Sequence, residues 1–163
     1  MIFLTVGTQL PFDRLIEAVD RLAPLIKRPI FAQVGERAEY IPKHFAFERQ
    51  LDSSEFAKKA HGASLILSHA GIGSILTARK YQIPAVLFPR RASMGEHRNE
   101  HQLDTCSQMK HLQNVYVALE ERELTNLLMS EATYSFEQTK GDRMGQDRLQ
   151  SAIYSFIHDS PTR

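Results

Sequence analysis

In this chain of 163 residues, the segment His69-Ala70-Gly71-Ile72-Gly73-Ser74 holds the residue types best suited to chemistry. Two glycines allow close approach to the backbone, and Ser74 and His69 can each donate a hydrogen bond to a phosphate oxygen. The segment follows the apolar run 63–68 and leads into a helical pattern. Its N–H groups would therefore lie at a helix start, where the helix dipole favours an anion, and it can hold a diphosphate without a metal. The same spacing also fits a tight turn with a helix cap and no ligand. It lacks the Gly-Lys-Ser/Thr of a Walker loop and is not a full Gly-x-Gly-x-x-Gly fingerprint on the first strand, so kinase and dehydrogenase readings fall. Gly7-Thr8, after the first apolar run, is a weaker signal of the same kind.

A second concentration runs from Arg90 to Gln102 and gathers cations, imidazoles and amides. His97, Glu100 and His101 match the H-x-x-E-H pattern of inverted zinc peptidases, with the histidines four apart on one helical face. A zinc site also needs a third fixed ligand, and no Asp or Glu is singled out for it, so no metal is expected. A solvated, charged helix start and a polar helix start facing a substrate both remain open.

These residues need elements to hold them. Short apolar runs alternate with amphipathic segments, which predicts an α/β fold: a Rossmann-like, mainly parallel sheet with flanking helices. Strands are expected at 2–6, 30–34, 45–47, 63–68, 84–88 and 115–117. Helices are expected from Phe12 to Leu22, from Asp52 to Gly62 with Glu55 completing a capping box, from the Gly71 turn to Gln82, at 97–109 and at 121–130. Leu149, Ile153, Phe156 and Ile157 suggest an amphipathic helix within a tail at 134–163.

Composition bounds the rest. The length fits one domain spanning 1–163, and 42% hydrophobic with 24% charged residues is ordinary for a globular protein. Twenty Lys plus Arg against 19 Asp plus Glu leave a net charge of +1, so no long-range field draws the chain to nucleic acid, and any anion site is local. Cys106 stands alone and reads as a structural thiol in a reducing compartment. Met1 runs straight into Ile2–Val6 without a basic leader, and no apolar stretch is long enough to span a bilayer, so a soluble, cytoplasmic protein is expected.

Taken together, Thr5-Val6-Gly7-Thr8, Phe12-Asp13-Arg14-Leu15-Ile16, His69 to Leu76, Pro89-Arg90, Gly95-Glu96-His97 and His101-Gln102 resemble the glycosyltransferase family 28 C-terminal domain over about residues 1 to 120. The likeness is strongest to stand-alone versions of that domain. These are the bacterial exopolysaccharide type and the catalytic subunit of the eukaryotic dolichol-linked UDP-N-acetylglucosamine transferase.

The resemblance implies the C-terminal half of a GT-B fold, a donor-binding subunit that moves a sugar from a UDP-sugar to a lipid-linked acceptor. A membrane-associated, acceptor-binding partner would supply the other half of the cleft and recruit the chain to the inner face of the membrane. By motif, His69 and His101 would be catalytic. Gly7, Thr8, Gly71, Ile72, Gly73, Ser74, Thr77, Arg90, Glu96, His97 and Gln102 would bind the donor, with no cofactor beyond it. One departure stands out: the family usually places Glu or Asp at the position of Thr77 to bind the ribose hydroxyls. That departure favours the alternative of a non-catalytic regulatory or stabilising subunit.

Overall fold

The computed structural model describes residues 1–130, and the tail at 134–163 with its expected helix lies outside the described residues. Six strands form one sheet in the order β3-β2-β1-β4-β5-β6, every pairing parallel. They are β1 (Ile2–Thr5), β2 (Ile30–Gln33), β3 (Ala46–Glu48), β4 (Leu65–His69), β5 (Ala85–Phe88) and β6 (Val115–Val117). The helices are α1 (Asp13–Leu22), α2 (Ser53–His61), α3 (Ile72–Tyr81), α4 (His101–Met109) and α5 (Glu121–Met129).

Strands β1, β2, β4 and β5 read as nearly continuous apolar runs because both faces of the sheet are covered there. Ile2 and Leu4 of β1, Leu65 and Leu67 of β4, and Val86 and Phe88 of β5 face Leu15, Ile16 and Val19 of α1 and Leu124 and Leu128 of α5. On the other face, Ile66 and Leu87 pack with Ile75 and Ala78 of α3 and Cys106 and Met109 of α4, while Phe3 packs with Ala60 and Phe56 of α2. Fully buried Phe3 meets Phe56 edge-on at 5.2 Å, and truncating such a ring to alanine costs about 3–5 kcal/mol.

Local chemistry sets the boundaries. The Asp52 carboxylate accepts the N–H groups of Ser54 and Glu55 at 2.8 Å and starts α2 as its capping signal predicts. The fourth strand begins two residues later than its apolar run, because Ala63 N–H closes the end of α2 on Ala60 and Ser64 N–H bonds to Met1. Helix α4 departs furthest, starting at His101 rather than His97. Asn99 Oδ1 accepts the His101 N–H and lies 3.0 Å from His97 Nδ1, and Glu100 Oε1 takes the Ser93 N–H, so these side chains hold 97–100 in bends. His97 and His101 therefore do not share a helical face, and the premise of the zinc-peptidase pattern fails.

The chain runs outward from β1 to β2 and β3, then crosses back to lay β4 on the other side of β1. This reversal opens a crevice between the carboxyl ends of β1 and β4, the place where open α/β sheets bind ligands.

Candidate functional site

A cleft of about 620 Å³ occupies that crevice. One wall is the loop after β1, with Val6, Gly7, Thr8, Gln9 and Leu10. The floor is the β4–α3 turn from His69 to Gly73, and the other wall comes from Arg90, from His97 to Asn99, and from His101, Gln102 and Thr105. The structure thus gathers ten of the residues singled out in the sequence: Gly7, Thr8, His69, Gly71, Ile72, Gly73, Arg90, His97, His101 and Gln102.

Three others lie outside the lining. Ser74 is buried in the first turn of α3, where its N–H bonds to the Gly71 carbonyl. Thr77 donates its hydroxyl to the Gly73 carbonyl at 2.8 Å. Glu96 accepts two bonds from Arg14, at 2.7 and 2.9 Å, and one from the Arg91 N–H at 2.8 Å, so its carboxylate is occupied within the protein.

His69 ends β4, paired with Phe88, and its ring lies between two glycines. A Cβ on Gly7 would come within 2.9 Å of the ring's Cε1, and one on Gly71 would overlap Nε2. Gly7 also has φ 77°, which a side chain resists. Nδ1 is buried without a hydrogen-bond partner among the described residues, and the half-buried residue lines the cleft. Burial lowers His69 to about 4, with Arg90 and His97 acting in the same direction and the Thr5 carbonyl opposing them. The imidazole is therefore neutral near pH 7. The N–H groups of Ile72 and Gly73, at the start of α3, have no acceptor among the described residues.

Arg90 is 2% exposed and its guanidinium is spent on the opposite loop. It donates to the carbonyls of Val6 at 2.8 Å, Leu10 at 2.7 Å and Pro11. Burial draws it down to about 10, while the carboxylates of Glu96 and Asp13 favour its charge. Its backbone N–H is in turn received by Gln102 Oε1 at 2.9 Å. Arg90 and Gln102 therefore set the shape of the cleft from behind.

Arg14 makes the reverse connection, from α1 to Glu96 and to the Pro89 carbonyl at 2.9 Å. Its guanidinium lies over Phe88 at 4.3 Å, Arg90 lies over Phe12 at 4.8 Å, and the two rings stack 5.9 Å apart. In the sequence Arg14 was visible only as a member of a motif. Gln9, Leu10, Arg98, Asn99 and Thr105, which also line the cleft, carried no signal beyond their neighbours'.

The sequence profile of the glycosyltransferase family 28 C-terminal domain matches residues 1–157. The chain belongs to that family. Among solved structures, this family 28 domain is similar to MurG of Acinetobacter baumannii, with TM-score 0.58 and 17% identity over 94% of this chain and 49% of that one. It is also similar to UDP-glucose:anthocyanidin 3-O-glucosyltransferase in complex with UDP, with TM-score 0.58 and 12% identity over 99% of this chain and 36% of that one. A third likeness is to the calicheamicin glycosyltransferase CalG4, with TM-score 0.57 and 15% identity over 96% and 38%. These are GT-B glycosyltransferases, and the chain spans half of their length or less. Curated protein sequences give no significant match. No helix among the described residues is long and apolar enough to cross a membrane.

Proposed function

We propose that this family 28 domain binds a UDP-sugar in the β1/β4 crevice and acts as the donor half of a glycosyltransferase. The observation that carries the reading is the composition of the cleft. Its lining joins unpaired turn amides, a neutral imidazole and cations, and contains no Asp or Glu among the described residues. Such a surface suits a diphosphate. That a glucosyltransferase of similar fold is solved with UDP supports the choice of nucleotide.

In the reaction, the acceptor hydroxyl oxygen attacks the anomeric carbon. The bond from that carbon to the diphosphate breaks, and its electrons remain on the departing phosphate oxygen. The amides of Ile72 and Gly73 and the His69 ring hold that group in place, an electrostatic role that needs no reorganisation. The hydroxyl proton passes to His101, which lines the cleft and has Asp104 Oδ2 3.7 Å from its Nδ1 to steady the imidazolium. No metal enters this scheme.

The facing wall, in this reading, comes from a membrane-associated subunit that presents a lipid-linked sugar in exopolysaccharide or glycolipid synthesis, and the domain is recruited from the cytoplasm to it. Calorimetric titration of the purified chain with UDP and UDP-sugars tests the donor site. Absence of uridine-nucleotide binding refutes it.

A second reading, a non-catalytic stabilising subunit, is favoured by Thr77. Its hydroxyl is tied to the Gly73 carbonyl and lies outside the cleft, where the family usually has a carboxylate for the ribose. UDP-sugar binding together with transfer upon adding the acceptor subunit excludes that alternative.

A further inference from the structure

The cleft has two side chains that are permanently cationic, Arg90 and Arg98. Arg90 is buried with its guanidinium bonded to three carbonyls, so it has little left to offer a ligand. His69 is neutral near pH 7. Arg98 differs from both. It is exposed at the cleft, and its side chain makes no hydrogen bond or ion pair among the described residues.

Its backbone, by contrast, is firmly placed. Glu96, two residues before it, is held by Arg14, and His97 Nδ1 lies 3.0 Å from Asn99 Oδ1 on the other side. A cation free at its tip and anchored at its root is well prepared to receive an anion, because little of the loop must be ordered on binding. No carboxylate in the lining competes for it. A guanidinium fork also matches two phosphate oxygens at once, where a lysine offers a point charge.

We infer, on the donor-site reading above, that the Arg98 guanidinium engages the donor diphosphate from the wall facing the Gly71–Gly73 turn. The turn supplies neutral N–H donors, and Arg98 supplies the charge that balances the nucleotide. Arg98 is thus a donor-binding residue that the family motifs do not assign.

The test is calorimetric titration of the 163-residue chain and its Arg98→Gln and Arg98→Lys variants with UDP, UMP and uridine. Arg98 has no partner to lose, so thermal unfolding of both variants should match the parent. Arg98→Gln is expected to weaken UDP about tenfold or more, to weaken UMP less and to leave uridine unchanged, while Arg98→Lys recovers part of the loss. Equal UDP affinity in parent and Arg98→Gln overturns the inference. So does an equal loss of affinity for UDP and uridine, which would place the guanidinium on the nucleoside. A parent chain that binds none of the nucleotides refutes the donor site itself and the inference with it, a result distinct from failure at Arg98 alone.

Discussion

The Arg14 guanidinium grips the Glu96 carboxylate with two parallel bonds of 2.7 and 2.9 Å across 82 positions of sequence. Both side chains are mostly sheltered, at 18% and 13% exposure, so the pair is screened less than a surface ion pair. Replacing Arg14 with alanine leaves Glu96 without its charged partner and frees the loop that carries His97 and Arg98. The expected loss is about 1–3 kcal/mol in denaturant unfolding, with a larger fractional drop in UDP affinity than in stability at Arg14→Lys, which keeps the charge but loses the fork. A double-mutant cycle with Glu96→Gln should return a coupling energy well above zero, and additive effects would show that the contact carries little.

The two turn glycines should behave differently. A Cβ on Gly73 meets nothing within 4 Å, whereas one on Gly71 overlaps the His69 ring. Gly73→Ala should leave the melting temperature unchanged or raise it, because alanine suits a helix better by about 1 kcal/mol. Gly73→Val should fold and weaken UDP binding by standing over the free amides. Gly71→Ala should lower the melting temperature. Equal melting temperatures for Gly71→Ala and Gly73→Ala would contradict the placement of the imidazole.

Stability should depend on pH through His69. Its value falls from about 6.5 in the unfolded chain to about 4 in the folded one, so the unfolded state binds the extra proton between those limits. Folding stability is therefore complete above about pH 6.5 and declines as pH falls toward 4, by about 3 kcal/mol at most from this group. Unfolding free energies measured from pH 7 to 4 should show that slope, and His69→Gln should flatten it.

Chelation is expected to leave both the melting temperature and UDP affinity unchanged, since the proposed scheme assigns diphosphate binding to amides, imidazole and guanidinium. Metal analysis of the purified chain provides the direct check. Stoichiometric zinc that disappears with His97→Ala or His101→Ala would overturn the scheme.

The sheet was legible because β1, β2, β4 and β5 are largely buried and write themselves as apolar runs, and because Asp52 and Gly71 mark helix starts by chemistry that acts over a few residues. The strand order was only implicit, yet it decides where Gly7 and His69 meet. What escaped was everything settled by tertiary partners. The sequence 97–100 has helical spacing, but Asn99 and Glu100 spend their side chains on nearby groups and delay α4 until His101. Arg90 and Glu96 look like ligand-binding residues because they stand in family-like motifs of the polar loop after the fifth strand. Only the fold reveals that carbonyls of residues 6, 10 and 11 and the guanidinium of Arg14 claim them first.

The imidazole held between Gly7 and Gly71 makes three positions interdependent in evolution. Gly71 has φ −97°, a conformation open to any residue, so within the folded domain it is the ring that excludes a side chain there. Gly7, at φ 77°, has a backbone reason of its own. Once His69 is lost, position 71 is released from constraint while position 7 is not. A harmful Gly71→Ala change should then become nearly silent for folding stability in a His69→Ala background, so that the effect of one substitution is set by the other.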